Sequence, residues 1–253
     1  MKIILTSNTT WYIYNFRFNF IKYLINSGYE VHVVSPNDKY VNKLIDYGVI
    51  HHDVKLGRFT KNIFKDFLFL VNLHIIFKKV KPIIIHNFTI KPVIYGSIAA
   101  WFLYNIKVIN SVPGLGITFL KKNKFNFSFF FIKCLYKISM LKRYKAIFQN
   151  QDDMNFFIDS KILTKHQCYL IKGSGVDLEK FKTIKIINDK KHVNFGLIGR
   201  MLWSKGVKDF VKSSRIVNEK NSNTRFFILG SPDKNSPDAI PIKWLQKINN
   251  ENH

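Results

Sequence analysis

Seven short apolar runs, alternating with segments of helical period, constrain this chain more than any other feature. The runs are IILTS from Ile3, EVHVV from Glu30, Ile50–Val54, KPIIIHNF from Lys81, KVINS from Lys107, AIFQN from Ala146 and CYLIKG from Cys168. After the first run, Ile13, Phe16, Phe20, Ile21 and Leu24 recur at three- and four-residue spacing, the period of an amphipathic helix. Thr9 or Thr10 is placed to cap that helix and Gly28 to stop it. The pattern predicts further helices near Lys39–Asp46, Lys61–Lys79, Pro92–Asn105, Phe125–Lys142 and Asp152–Asp159. Short, fully apolar strands alternating with helices imply an α/β fold with a parallel sheet covered on both faces. A polar, charged passage, Leu178–His192, interrupts the alternation, which then restarts with VNFGLIG, a helix over Lys205–Glu219, RFFILG and a short helix IKWLQKIN. The expected organisation is a Rossmann-like domain over 1–184 and an incomplete second Rossmann-like domain over 185–253.

Charge narrows the partners. Lys and Arg number 40 against 16 Asp and Glu, a formal charge of +24. That excess favours anionic partners such as nucleic acid, an anionic membrane surface or phosphorylated substrates. Heavy use of Asn, Ile, Lys and Phe throughout accounts for part of it. Cys134 falls in a helical pattern and Cys168 in a strand pattern, without disulfide or metal spacing, which suits a reducing cytoplasm. The start turns polar after Leu5, so no secretory segment is expected. The uncharged stretch Pro92–Ile106 falls short of the ~20 residues that cross a bilayer. The expected chain is soluble or peripheral to a membrane.

Open parallel sheets bind ligands beyond the carboxyl ends of their strands. The loops there read SNTT (Ser7–Thr10), HNFTIKP (His86–Pro92), NSVPGLG (Asn110–Gly116), QNQDD (Gln149–Asp153), KGSGVD (Lys172–Asp177) and GRMLWSK (Gly199–Lys205). Ser, Thr, Asn, Gly, Lys and Arg suit hydroxyls and phosphates and suit metal ions poorly. The glycine pairs 114/116 and 173/175 allow close approach of a ligand to backbone. No Walker loop, GxSxG elbow or GxGxxG fingerprint occurs, so a Rossmann oxidoreductase is disfavoured. His51 and His52 read as strand residues. Lys and Arg are spread along the chain without a nucleic-acid motif, which argues against a nucleic-acid binder.

Six segments in order, SNTTWYIYNFR, HNFTIKPVIYGS, NSVPGLG, IFQNQDD, GSGVDLEKF and GRMLWSKGVKDFV, resemble family 4 glycosyltransferases of the two-domain GT-B fold. The likeness is to bacterial enzymes that extend lipid-linked glycans or capsule precursors. It implies retaining transfer of a sugar from a nucleotide-diphosphate sugar, with no cofactor and no required metal. Arg200 and Lys205 match the pair that holds the donor diphosphate and are the expected catalytic residues. Gly199 lies beside them, and a helix starting near Ser204 would add its dipole. Gly114, Gly116, Ser174 and Gly175 are further candidate donor contacts. Many relatives carry a donor-binding histidine where this chain reads Asn110–Ser111. Asn8, Thr9, His86, Thr89 and Lys91 are candidate acceptor contacts, with Lys91 suited to a lipid diphosphate; His86 reads equally well as a core histidine.

Two further expectations concern partners and extent. The basic, aromatic segment 119–145 resembles a helix that lies in a lipid headgroup layer, where Lys133 and Lys137 share a narrow polar side. A core helix with snorkelling lysines is the alternative. The implied location is the cytoplasmic face of the cell membrane. A member of the resembled family continues beyond Trp244 and carries two donor-contacting glutamates there, a context that Glu251 lacks. The chain therefore reads as truncated, with an inactive remnant that binds membrane or acceptor as the alternative function.

Overall fold

The computed structural model describes residues 1–56, 62–115, 127–141, 143–183, 191–232, 236 and 238–250. Gly116, Lys121, Lys122, Lys124, Lys142, Glu251 and part of the 178–192 passage lie outside them. Contacts divide the chain into two units, Met1–Phe181 and Lys182–His253.

The first unit contains β1 (Lys2–Thr6), α1 (Thr10–Asn26), β2 (Glu30–Ser35), α2 (Val41–Ile45), β3 (Ile50–Asp53), α3 (Ile63–Val80) and β4 (Ile84–Phe88). A wide helical turn over Pro92–Gly96 leads into α4 (Ser97–Ala99), followed by β5 (Lys107–Val112), α5 (Phe127–Ser139), β6 (Lys145–Phe148), α6 (Gln151–Asp159) and β7 (Cys168–Leu170). All seven strands are parallel, in the order β3-β2-β1-β4-β5-β6-β7. The order reverses between β1 and β4. Such a reversal opens a crevice at the strands' carboxyl ends. Ser7, Asn8 and Thr89 follow directly from those two ends.

Strand alternation builds the core. Ile3 and Leu5 pack with Ile13, Ile21 and Leu24 of α1, while Ile4 packs with Phe69, Leu73 and Phe77 of α3 on the opposite face. Burying each such side chain contributes about 1.5–3 kcal/mol. The Thr9 hydroxyl accepts from the Tyr12 amide at 3.2 Å and caps α1, and Gly28, at φ 81°, turns the chain back. The helix expected over Pro92–Asn105 is shorter than its apolar pattern, ending at Ala99. Among the described residues, cover of the sheet is incomplete. Tyr169 and Ile171 on the β7 side are 51% and 55% exposed, beside Ile109 and Ile147, and together they line a shallow apolar hollow.

A buried polar chain ties the crevice strands to the turn beneath them. Thr6 Oγ1 donates to Asn87 Oδ1 at 2.6 Å, and Asn87 Nδ2 donates to Asn110 Oδ1 at 2.9 Å. Ser97 Oγ donates to the same Asn110 oxygen at 3.1 Å. These side chains are fully buried. Asn87 is consequently locked, and a Cβ at Gly96 would overlap its Oδ1. Gly96→Ala is expected to destabilise the first unit by about 1–3 kcal/mol. Chemical denaturation of both proteins measures it, and an unchanged midpoint would contradict the locked geometry.

The second unit is smaller. β8 (Val193–Ile198) pairs in parallel with β9 (Thr224–Leu229), with α7 (Val207–Lys220) between them in sequence and α8 (Ile242–Asn250) last. Met201, Val207 and Ile240 form its buried centre, with Trp203 set edge-on to Trp244 at 5.0 Å.

Candidate active site

The 199–206 loop carries the two expected cations on a fixed backbone. The Gly199 amide donates to the Leu229 carbonyl at 3.0 Å, so the loop leaves β8 alongside the end of β9. A side chain at Gly230 would overlap the Gly199 carbonyl. Met201 and Leu202 are buried and anchor the loop. Their bridges to Pro232 and Ala239 hold it from the far side. The Trp203 amide donates to the Asp238 carbonyl at 3.1 Å and the Ser204 amide to Asp238 Oδ2 at 3.0 Å. Arg200 and Lys205 are exposed. Buried Met201 and Leu202 thus anchor the loop between exposed Arg200 and Lys205 at the carboxyl end of β8.

The expected helix start is corrected. Trp203–Lys205 forms a separate short turn, and Gly206, at φ 75°, breaks it before α7 begins at Val207. Left-handed backbone ends one helical segment before the next can begin. Lys205 therefore precedes the helix, and Ser204 does not open it.

On the first unit the candidates fall into different environments. Thr9 spends its hydroxyl oxygen on the α1 cap, and Asn8 beside it is half-buried. His86 is a core residue. Its ring stacks on Phe88 at 4.1 Å between centroids, and Nε2 meets Ser111 Oγ at 2.8 Å. Burial, helped by the nearby Arg17 charge, lowers its pKa from 6.5 to about 3. An unfolded histidine takes a proton near pH 6.5 and folded His86 only near 3. Between those values the unfolded chain holds more protons, so stability falls as pH drops through the window, by about 1.4 kcal/mol per pH unit. Denaturation midpoints at several pH values should fall more steeply for the parent chain than for His86→Asn; parallel slopes would refute this.

Thr89 adopts φ 69°, a left-handed conformation unfavourable for a β-branched residue, and its buried Oγ1 has no hydrogen-bond partner. Lys91 Nζ pairs with Asp66 Oδ1 at 2.6 Å, and the Tyr95 hydroxyl donates to Asp66 Oδ2 at 3.1 Å. The phenol's pKa is raised by burial first and by Asp66 second. Asp66 thus meets the Lys91 charge from another helix. Ser174 Oγ accepts from Gln149 Nε2 at 3.0 Å, and Gly173 and Gly175 flank it at φ 74° and 73°. The GSG turn is therefore tied to the end of β6, and its glycines occupy backbone that other residues resist. Gly114 is half-buried, with no atom near where a Cβ would stand.

Sequence reasoning passed over Asp66, and it named Ser7, Arg17 and Gln149 only as members of loops or matched segments, with no role of their own. Arg17 left a readable signal. It occupies the i+4 position between Ile13 and Ile21, a charged residue in an otherwise apolar stripe.

Comparison with known proteins agrees with the fold. Residues 2–151 match a family model described as Glycosyl transferase 4-like. The chain is 29% identical over 260 residues to the N,N'-diacetylbacillosaminyl-diphospho-undecaprenol alpha-1,3-N-acetylgalactosaminyltransferase of Campylobacter jejuni. That alignment covers 97% of this chain and 67% of the relative. It is 26% identical over 242 residues to the capsular polysaccharide biosynthesis glycosyltransferase CapM of Staphylococcus aureus, covering 89% of this chain and 60% of CapM. A glycosyltransferase structure from Rickettsia africae superposes with a TM-score of 0.70 at 15% identity, over 98% of this chain and 63% of that one. Anabaena HepE, solved with UDP and glucose, gives 0.62 at 12% identity, over 98% and 65%. These superpositions bear on fold alone. The chain spans 60–67% of the length of the two curated relatives.

Proposed function

The chain belongs to the glycosyl transferase 4-like family, and from that premise we propose that it transfers a sugar, with retention, from a nucleotide-diphosphate sugar to a lipid-linked or capsular glycan acceptor. The observation that carries this reading is the braced loop that presents Arg200 and Lys205 at the end of β8. Breaking the sugar–phosphate bond leaves its electron pair on the departing diphosphate. Fixed cations stabilise that growing charge without having to reorganise. Lys182–His253 is the donor-side unit in this reading and Met1–Phe181 the acceptor-side unit. No resident cofactor or metal enters it. The Campylobacter relative is named for an acceptor built on diphospho-undecaprenol, and an acceptor of that class would place the enzyme at the inner face of the membrane.

Two helices support membrane contact. α3 begins with Ile63 and Phe64, 78% and 69% exposed, and continues with exposed Phe67 and Leu68. On α5, Phe130, Phe131 and Ile138 are exposed beside Lys137, while Tyr136 is buried and Ile132 and Leu135 pack on the core. One side of α5 thus belongs to the core and the other to an amphipathic, basic surface. Among the described residues no helix is long and apolar enough to cross a membrane.

The test is transfer of labelled sugar from uridine-diphosphate N-acetylhexosamines to a polyprenyl-diphosphate-linked saccharide in vesicles. Product formation that depends on Arg200 supports the reading. Acceptor binding without product would replace it with the binding-only alternative.

A further inference from the structure

We propose that Arg17, with Ser7 and Thr89 beside it, forms a binding site for a phosphate-type oxyanion at the adjoining ends of β1 and β4. The inference deepens the proposed transfer reaction by adding anchoring residues remote in sequence from Arg200 and Lys205. It starts from hydrogen-bonding groups that the fold leaves unanswered. Ser7 Oγ, Arg17 Nε and Thr89 Oγ1 are all buried and have no hydrogen-bond partner. Native folds rarely leave such groups unpaired, and a ligand is one of the few reasons for doing so.

Strand register sets Ser7 and Thr89 at adjoining strand ends, and Arg17 reaches the same ends from α1. Thr6 pairs with Asn87 across β1 and β4, so Ser7 continues beside Phe88, and Thr89 follows Phe88 directly. Ile3 and Leu5 face α1 and Phe88 packs in that same cluster, so alternation turns Ser7 towards α1. Arg17 projects from α1 onto this point, its guanidinium carbon 4.8 Å from the Phe88 ring centre and 5.7 Å from that of Tyr12. Its Nη2 donates to the Tyr12 hydroxyl at 3.1 Å. Among the described residues no carboxylate forms an ion pair with Arg17.

The chemistry of these groups selects the ligand. A guanidinium fork suits two oxygens of one phosphate. Two hydroxyls can donate to the remaining oxygens. A cation would be repelled, and a neutral sugar would leave the positive charge unmatched. Thr89 adopts a left-handed backbone at the β4 end, strain of a kind that collects at ligand sites. The phosphate can come from a polyprenyl-diphosphate acceptor or from the nucleotide donor; the recognition chemistry is shared.

Calorimetric titration of the full chain carrying Arg200→Gln, which weakens the donor loop, tests the site with three probes: inorganic pyrophosphate, farnesyl diphosphate and uridine diphosphate. Adding Arg17→Gln is expected to weaken pyrophosphate binding about tenfold or more, and Ser7→Ala about threefold. Arg17→Lys should fall between the parent and Arg17→Gln. Loss confined to farnesyl diphosphate assigns the site to the acceptor, loss confined to uridine diphosphate assigns it to the donor, and loss in both marks a shared site; each supports the proposal. Ser7→Ala carries the test if Arg17→Gln does not fold. Equal affinities across parent, Arg17→Gln and Ser7→Ala, or no binding of any probe to the parent, overturn it. Arg17-dependent pyrophosphate binding in a chain that transfers no sugar would sink the proposed reaction and leave this site standing.

Discussion

Replacing Arg200 by alanine is expected to lower kcat for sugar transfer by about 10²–10³, the usual effect of deleting one preorganised group that stabilises transition-state charge. The reasoning begins with where charge appears. In the bound donor the diphosphate shares its bridging oxygen with the sugar; as that bond breaks, negative charge builds on the phosphate. One cation at about 4 Å, with an effective dielectric near 20, gives about 4 kcal/mol before desolvation is subtracted. Arg200 is exposed on a loop braced by Met201, Leu202 and Asp238, so its removal should leave stability within about 0.5 kcal/mol. A loss mostly in kcat places the contact in the transition state. A rise in KM alone would mean equal binding of ground and transition states. Arg200→Lys keeps the charge but loses the planar fork, so an intermediate rate is expected. Lys205→Ala should also slow transfer. If both cations hold one diphosphate, the double variant should lose less than the sum of the two single losses. Unchanged kcat/KM in both single variants, with folding intact, would end this account of the loop.

The alternation of strands and helices was legible because each strand is a short apolar run and each helix repeats at three- and four-residue intervals. What lay outside that reading depends on contacts between distant residues. Lys91 looks like an available cation until α3 brings Asp66 to 2.6 Å from it. Gly96 looks like an ordinary helical glycine until Asn87, locked by Thr6 and Asn110, fills the place of its side chain. His86 allowed two readings, and the depth of β4 under α1 decides for the core. The apolar pattern of the sixth and seventh strands implied cover on both faces, yet Tyr169 and Ile171 stay half exposed. Gly206 was present in the sequence as a glycine close to a helix start, but only its left-handed backbone shows that it separates the turn at Lys205 from α7. For Arg200 and Lys205 the sequence supplied position; the bonds from Gly199, Trp203 and Ser204 supply the rigidity that preorganisation requires.

The second large effect is expected at the membrane surface. The parent chain should bind vesicles containing about 30% anionic lipid, and Phe64→Ser with Phe67→Ser should weaken that partitioning about a hundredfold. Phe64 and Phe67 are 69% and 58% exposed in the first turns of α3. Leu68 is exposed beside them, so among the described residues they form an aromatic and aliphatic surface open to water. Moving each ring from water into the acyl boundary contributes on the order of 1.4 kcal/mol, about half of full burial, or tenfold in the partition coefficient. Because the side chains are already exposed, the substitutions remove little core packing, and the melting temperature should barely change. The formal charge of +24 adds attraction for anionic headgroups, and salt separates the two contributions. Raising ionic strength from 0.1 M towards 1 M shortens the Debye length from ~10 Å to ~3 Å. That change should weaken binding of the parent and the double variant by similar factors, since both carry the same charge. The aromatic contribution should persist at high salt. Equal binding by parent and double variant would remove α3 from the membrane surface, and equal binding to neutral and anionic vesicles would remove the electrostatic contribution.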